Sequence, residues 1–171
     1  SLAVNLIEQG KFNQAVKHID SSKKWPENLG AGKPYEPDIR FQDYLAAFCH
    51  KMTGKDVISE DHFNRILEYS LKNWKGGGDP VNIYISNTIF EKAGKHDLAV
   101  RAMDKWKNDQ DSLRIWNISA GSHSPKVQWV IATINDDKEE SIRLENEIDA
   151  IPDEKRFRLF TKARKIIDSK Y

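Results

Sequence analysis

Histidines, a lone cysteine and a few clustered carboxylates are the residues of this chain that could do chemistry, and their spacing argues against it. His18, His50, His62, His96 and His123 form no His-x-x-x-His pair and no cluster with cysteine, so the ligand spacing of a zinc site is missing. Cys49 falls on the apolar side of its segment and reads as a small buried hydrophobe rather than a nucleophile. As the single cysteine it also excludes an intrachain disulfide and a multi-cysteine metal site. Glu27, Glu36 and Asp38 crowd one proline-rich stretch, which is no rigid carboxylate pair spanning a sugar. Gly76-Gly77-Gly78 lacks the preceding strand and the following Lys-Ser or Lys-Thr of a phosphate loop, and reads as a joint or helix stop. No catalytic residue, metal or cofactor is expected.

The five tryptophans are the other chemically distinctive group, because indole stacks on sugars and anchors peptides. Trp74, Trp106 and Trp129 fall at apolar helical positions and are expected in the core. Trp25 and Trp116 fall in loops and are the better functional candidates. Trp25 shares its loop, residues 23–38, with Leu29 and Tyr35, so the loop is expected to lie packed on the helices. His96 follows a turn glycine and is expected to pack. His50, near a helix end, is read as a surface residue or as facing a groove.

The elements that must position these residues are helices. The 171 residues are 39% hydrophobic and 31% charged, with 27 basic against 26 acidic side chains. That balance gives no electrostatic reason to expect nucleic acid or an anionic membrane as partner. No apolar run approaches the ~20 residues that span a bilayer. The chain begins inside a helical pattern, so a piece of a longer protein is expected, and a missing export signal means little. Leu2, Ala3, Leu6 and Ile7 form one apolar stripe; Phe12, Ala15, Val16 and Ile19 form the next, with Gly10 between them. Two helices joined this closely form an antiparallel hairpin.

The same reading carried along the chain predicts hairpins at about 1–22, 39–75, 81–108 and 125–150, then a last helix at 152–171. In the second hairpin Ser59 is expected as the N-cap, with 55–59 an insertion ahead of it. Ser124 and Pro125 are expected to start a helix that Asp136-Asp137 ends. Ile142, Leu144 and Ile148 are expected as the buried set of the next, and Pro152 as the start of the last. No stretch shows a period-two strand pattern.

Gly10, Gly54 and Gly94 mark three reversals, 44 and then 40 residues apart. Around them the order Leu2, Ala3, Leu6, Gly10, Phe12, Ala15, Ile19 is echoed by Leu45, Ala46, Cys49, Gly54 and by Phe90, Gly94, His96, Ala99, Met103. This order resembles the tetratricopeptide repeat (TPR), whose usual period is ~34 residues, over about two thirds of the chain. Pro26 stands where that repeat expects a proline. The longer period, with the loop at 23–38, departs from the family pattern. The segment Trp25-Pro26-Glu27-Asn28-Leu29-Gly30, followed by Gly32-Lys33-Pro34-Tyr35, is also similar to segments of the C-terminal TPR region of large bacterial proteins. In those proteins an uncharacterised mutarotase-like β-sandwich region precedes the repeats.

The resemblance implies a single all-α domain, a right-handed α-α superhelix (a TPR-like solenoid) of about three to four hairpins. The first helix of each hairpin would line a concave face. Positions off the core stripe nominate Arg40, Asp43, Ala47, His50 and Lys51 from the helix after residue 39, and Tyr84, Thr88, Glu91 and Lys92 from the helix after 81. Trp25 and Tyr35 join them from the loop. The reading is a non-catalytic module that docks a protein or a neighbouring domain of the same chain. The alternative is an accessory, carbohydrate-binding part of a sugar-active protein whose catalytic region lies elsewhere.

Overall fold

The computed structural model describes residues 1–24, 36–72, 79–114 and 124–170, with the side chains of 110–114 left aside. The regular elements among the described residues are all helices, with no strand. They form α1 (Leu2–Glu8), α2 (Phe12–Ser22), α3 (Arg40–Lys51), α4 (Asp56–Lys72), α5 (Pro80–Lys92), α6 (His96–Arg114), α7 (Pro125–Ile134), α8 (Lys138–Asp149) and α9 (Lys155–Asp168).

Each hairpin closes by one local device. Gly10, Gly54 and Gly94 adopt φ of 72°, 72° and 68°, and Asp136 takes the same left-handed region at 56°. In every case the next residue's N–H reaches back five residues: Lys11 to Leu6 at 2.8 Å, Lys55 to His50 at 2.9 Å, Lys95 to Phe90 at 2.9 Å, Asp137 to Ala132 at 2.9 Å. This is the Schellman termination, in which a left-handed residue lets the last carbonyls of a helix be satisfied. The same next residue then starts the following helix, its carbonyl accepting from Ala15, Ser59, Ala99 or Ser141 at 3.0 to 3.1 Å. The left-handed residue and the one after it therefore end one helix and begin another, four times over.

The residue five positions past each reversal is small and buried: Ala15, Ser59, Ala99, Ser141. A small side chain there lets the paired helices approach closely. The crossing is polar in two hairpins and uses the same two positions. Ser59 Oγ donates to the Ala47 carbonyl at 2.9 Å, and Asn87 Nδ2 donates to the Ala99 carbonyl at 3.4 Å. Ser59 is thus no N-cap. Helix α4 begins at Asp56, directly after the reversal, and there is no insertion; a cap residue and a small crossing residue look alike in sequence. The last helix likewise begins at Lys155 rather than Pro152.

The chain divides into two compact units, Ser1–Tyr69 with Lys162–Tyr171, and Ser70–Thr161. In the first, α1 packs on α2 and α2 on α3, around Val4, Ile7, Ile19, Phe48 and Ile66. Phe12 meets Phe48 edge to face at 5.8 Å. The end of α9 is tied in through Lys162, which reaches Glu8 at 2.7 Å. Helix α3 is buried around most of its circumference, from Arg40 to Cys49 with Gln42 half-buried.

In the second unit α5 packs on α6 and α7, and α7 on α8. Trp129 is its centre, with Phe157 at 4.9 Å, Phe160 at 5.9 Å and Tyr84 at 5.4 Å. Its indole N–H donates to buried Glu145 at 3.1 Å. The buried face of α8 is Ser141, Leu144, Glu145 and Ile148. Ile142, expected inside, is 59% exposed, because the helical face that carries Leu144 and Ile148 passes through two polar residues instead. Trp106 is buried as expected; Trp74 lies outside the described residues.

A Cβ added at Gly54 meets nothing within 4 Å, so only the left-handed backbone resists a side chain. Gly54→Ala is expected to cost about 1–2 kcal/mol, and Asp136→Gly to stabilise by about 0.5 kcal/mol. Urea unfolding of the two variants measures both.

Candidate functional site

Charged residues converge at one place in the first unit, around the carboxylate of Asp43. Asp43 sits on α3 and is 3% exposed. Lys23, at the end of α2, donates to Asp43 Oδ1 at 2.8 Å. His62 Nδ1, from α4, lies 2.9 Å from the same oxygen. Arg65, one turn on, holds Nε 3.8 Å from Asp43 Oδ2. Burial pushes the Asp43 carboxyl up, but the hydrogen bonds from His62 and Lys23 and the charges of Lys23 and Arg65 outweigh it. The group is left below its ordinary 3.8.

The His50 ring stacks on that of His62, centroids 5.4 Å apart and planes 15° apart. His50 Nδ1 is buried without a hydrogen-bond partner among the described residues. Its proton affinity is lowered from the ordinary 6.5, first by burial, then by the nearby charges of His62, Lys55 and Lys23, with Asp20 opposing. Asp43 and His62 lie together as an acid–base pair would. The Cys49 thiol, fully buried on α3, is pushed up to about 12 by burial, so it forms no thiolate at neutral pH.

Beside Asp43 opens a cleft of about 270 Å³. Pro37 and Ile39 ahead of α3, Arg40 on its first turn, and Arg65 and Tyr69 on α4 make most of its wall, with Glu36 at the exposed edge. Arg40 is held by Asp38 in a two-bond fork, Nε to Oδ1 at 2.9 Å and Nη2 to Oδ2 at 2.6 Å. The Arg40 guanidinium also lies 5.1 Å from the Tyr69 ring centroid. Burial, and the carboxylates of Asp38 and Glu36 against Arg40, raise the Tyr69 hydroxyl above its ordinary 10.0, so it keeps its proton.

Of the residues nominated from sequence, Arg40 and Asp43 meet at this cleft. They are buried rather than off the core stripe, as is Ala47. The stripe argument assumes one buried face, whereas α3 is flanked by α2 and by α4. His50 is stacked on His62 and is not part of the cleft wall. Lys51 is exposed and pairs with Asp56 at 2.9 Å. In the second unit, Tyr84 belongs to the aromatic centre and Thr88 bonds the Tyr84 carbonyl at 3.0 Å. Glu91 and Lys92 are exposed. Glu91 bonds His96, and His96 is exposed rather than packed. Trp25, Tyr35 and Trp116 lie outside the described residues.

Lys23, His62, Arg65 and Tyr69 were not legible as site residues. The available signal was their helical spacing: His62, Arg65 and Tyr69 fall at i, i+3 and i+7, on one face of α4. No protein-family model matches this chain, and no curated protein or solved structure does so either.

Asp43→Ala strands Lys23 and His62 and is expected to cost roughly 3 kcal/mol, read as a lower urea midpoint. Because folding lowers the proton affinity of His50, the unfolded chain binds more protons below pH 6.5. Stability therefore falls as pH drops through that value. The Asp43 contribution persists until pH falls below 3.8. Urea midpoints at several pH values between neutrality and 5 should decline, and decline less steeply in His50→Gln. An unchanged slope in that variant would remove His50 as a cause.

Proposed function

We propose that this chain is a non-catalytic helical-repeat module that docks a protein or a neighbouring domain of the same polypeptide. Its hairpins would stack as a right-handed α-α superhelix of the tetratricopeptide type. The observation that carries the reading is the recurrence of one hairpin register around Gly10, Gly54, Gly94 and Asp136. In each, a left-handed residue closes the first helix and a small buried residue stands five positions after it. Repeats of this kind bury little alone and gain stability by stacking, which leaves a long side surface for a partner. The polar cluster around Asp43 joins three helices of the fold, as expected of a scaffold.

Two measurements test the proposal. Small-angle scattering of the isolated chain should give a radius of gyration above the roughly 15–16 Å of a compact domain of this length. A value at that level would remove the superhelix. In the parent protein, deleting this region should abolish partner recovery or assembly while leaving the turnover of any catalytic region unchanged. Undiminished assembly after deletion would overturn the docking role.

A further inference from the structure

Arg40 and Arg65 both face the cleft of the first unit, but they are held differently. Arg40 is locked to Asp38 through two short bonds. Among the described residues Arg65 reaches carboxylates only at 3.5 Å, to Asp61, and 3.8 Å, to Asp43. Its one short contact runs from Nη2 to His62 Nδ1 at 2.6 Å. That nitrogen also meets Asp43 Oδ1 at 2.9 Å, and it cannot serve both. Carrying a proton, it donates to Asp43 and opposes the N–H of Arg65. Without one, it accepts from Arg65 and sets a lone pair against the carboxylate. A buried full charge has the stronger claim on a donor, so the proton belongs toward Asp43. Arg65 is then left without a good acceptor on its Nη2 among the described residues, on a side chain 47% exposed to solvent.

The rest of the wall suits an apolar body. Pro37, Ile39 and the Tyr69 ring offer carbon surface. Of the two carboxylates on the wall, Asp43 is engaged by Lys23 and His62, and Glu36 is exposed at the edge. The volume of about 270 Å³ lies just below the ~300–1,000 Å³ of sites for drug-sized ligands; it suits one side chain or a small acid.

We propose that this cleft binds an aryl or branched-alkyl carboxylate, its apolar body on Pro37, Ile39 and Tyr69 and its carboxylate forked onto Arg65. Binding turns Arg65 away from His62 and leaves Nδ1 to Asp43 alone. The site stands independently of the docking role, since either can fail without the other. The carboxylate can come from a free acid or from a residue of a partner segment.

The test is a nitrogen–proton NMR titration of the whole chain with phenylacetate and with its neutral isostere phenylacetamide. Phenylacetate is expected to bind with a dissociation constant in the range of about 1–10 mM, and phenylacetamide at least about tenfold more weakly. Phenylacetate should shift the Arg65 Nε signal and also that of His62 Nδ1, which loses its contact with the Arg65 guanidinium. Arg65→Gln should abolish the preference for the acid, and Arg65→Lys, which keeps the charge but not the fork, should retain part of it. Circular dichroism confirms that both variants fold. Acetyl-Asp-Phe-amide against acetyl-Asn-Phe-amide separates the sources: a preference for the acidic peptide equal to or above that for phenylacetate assigns a protein segment, and binding of phenylacetate alone assigns a free acid. Equal binding of phenylacetate and phenylacetamide, no binding of either up to about 20 mM, or an undiminished preference in Arg65→Gln overturns the proposal.

Discussion

A single left-handed residue at the end of a helix is the constraint on which the hairpins depend. It lets the following N–H fold back onto the carbonyl five residues earlier, so the helix terminates with its last backbone groups satisfied. The residue that makes this bond starts the next helix. With only three or four residues between the helices, the register of the second helix against the first has little freedom. The position five residues past the reversal must then lie at the crossing, and Ala15, Ser59, Ala99 and Ser141 fill it. Three of the four reversals use glycine, which takes this conformation without steric cost; Asp136 takes it as one of the few other residue types that tolerate it.

Close pairing on two sides of one helix has a further consequence. Helix α3 has neighbours on both flanks, so positions that would face water in a simple amphipathic helix are buried. Asp43 is one of them. Taking a carboxylate out of water costs several kcal/mol unless charges and donors converge on it. Here they come from separate elements: Lys23 from the end of α2, His62 and Arg65 from α4. The arrangement ties three helices together through one side chain. It also leaves local conflict, with His62 Nδ1 claimed by two neighbours and His50 Nδ1 by none among the described residues. The second unit meets its buried polar groups differently. Glu145 accepts from the Trp129 indole inside an aromatic cluster, and Ser70 bonds Ser86 at 2.7 Å.

The all-helical character and the sites of reversal were readable along the chain, and three of the misreadings share one cause. Ser59, Ile142 and His96 were each assigned from their own local pattern. Ser59 has a cap's chemistry but lies at a helix crossing. Ile142 has a core residue's chemistry but lies one position off the face defined by Leu144 and Ile148. His96 sits where a packing residue was expected but points into solvent beside Glu91. In each case the competing factor was the rotation of a helix about its axis, which the partner helix sets.

Helix type and helix ends are decided within a few residues, by 3.6-residue periodicity and by the rare backbone conformation that glycine allows. The sequence by itself therefore determined the helical class and the places where the chain doubles back. Which polar side chains of α2, α3 and α4 would be buried together was decided only by the tertiary structure. Lys23, Asp43, His62 and Arg65 are up to 42 residues apart in the chain. Their meeting depends on how three helices rotate and close against one another, and no local pattern carries that information.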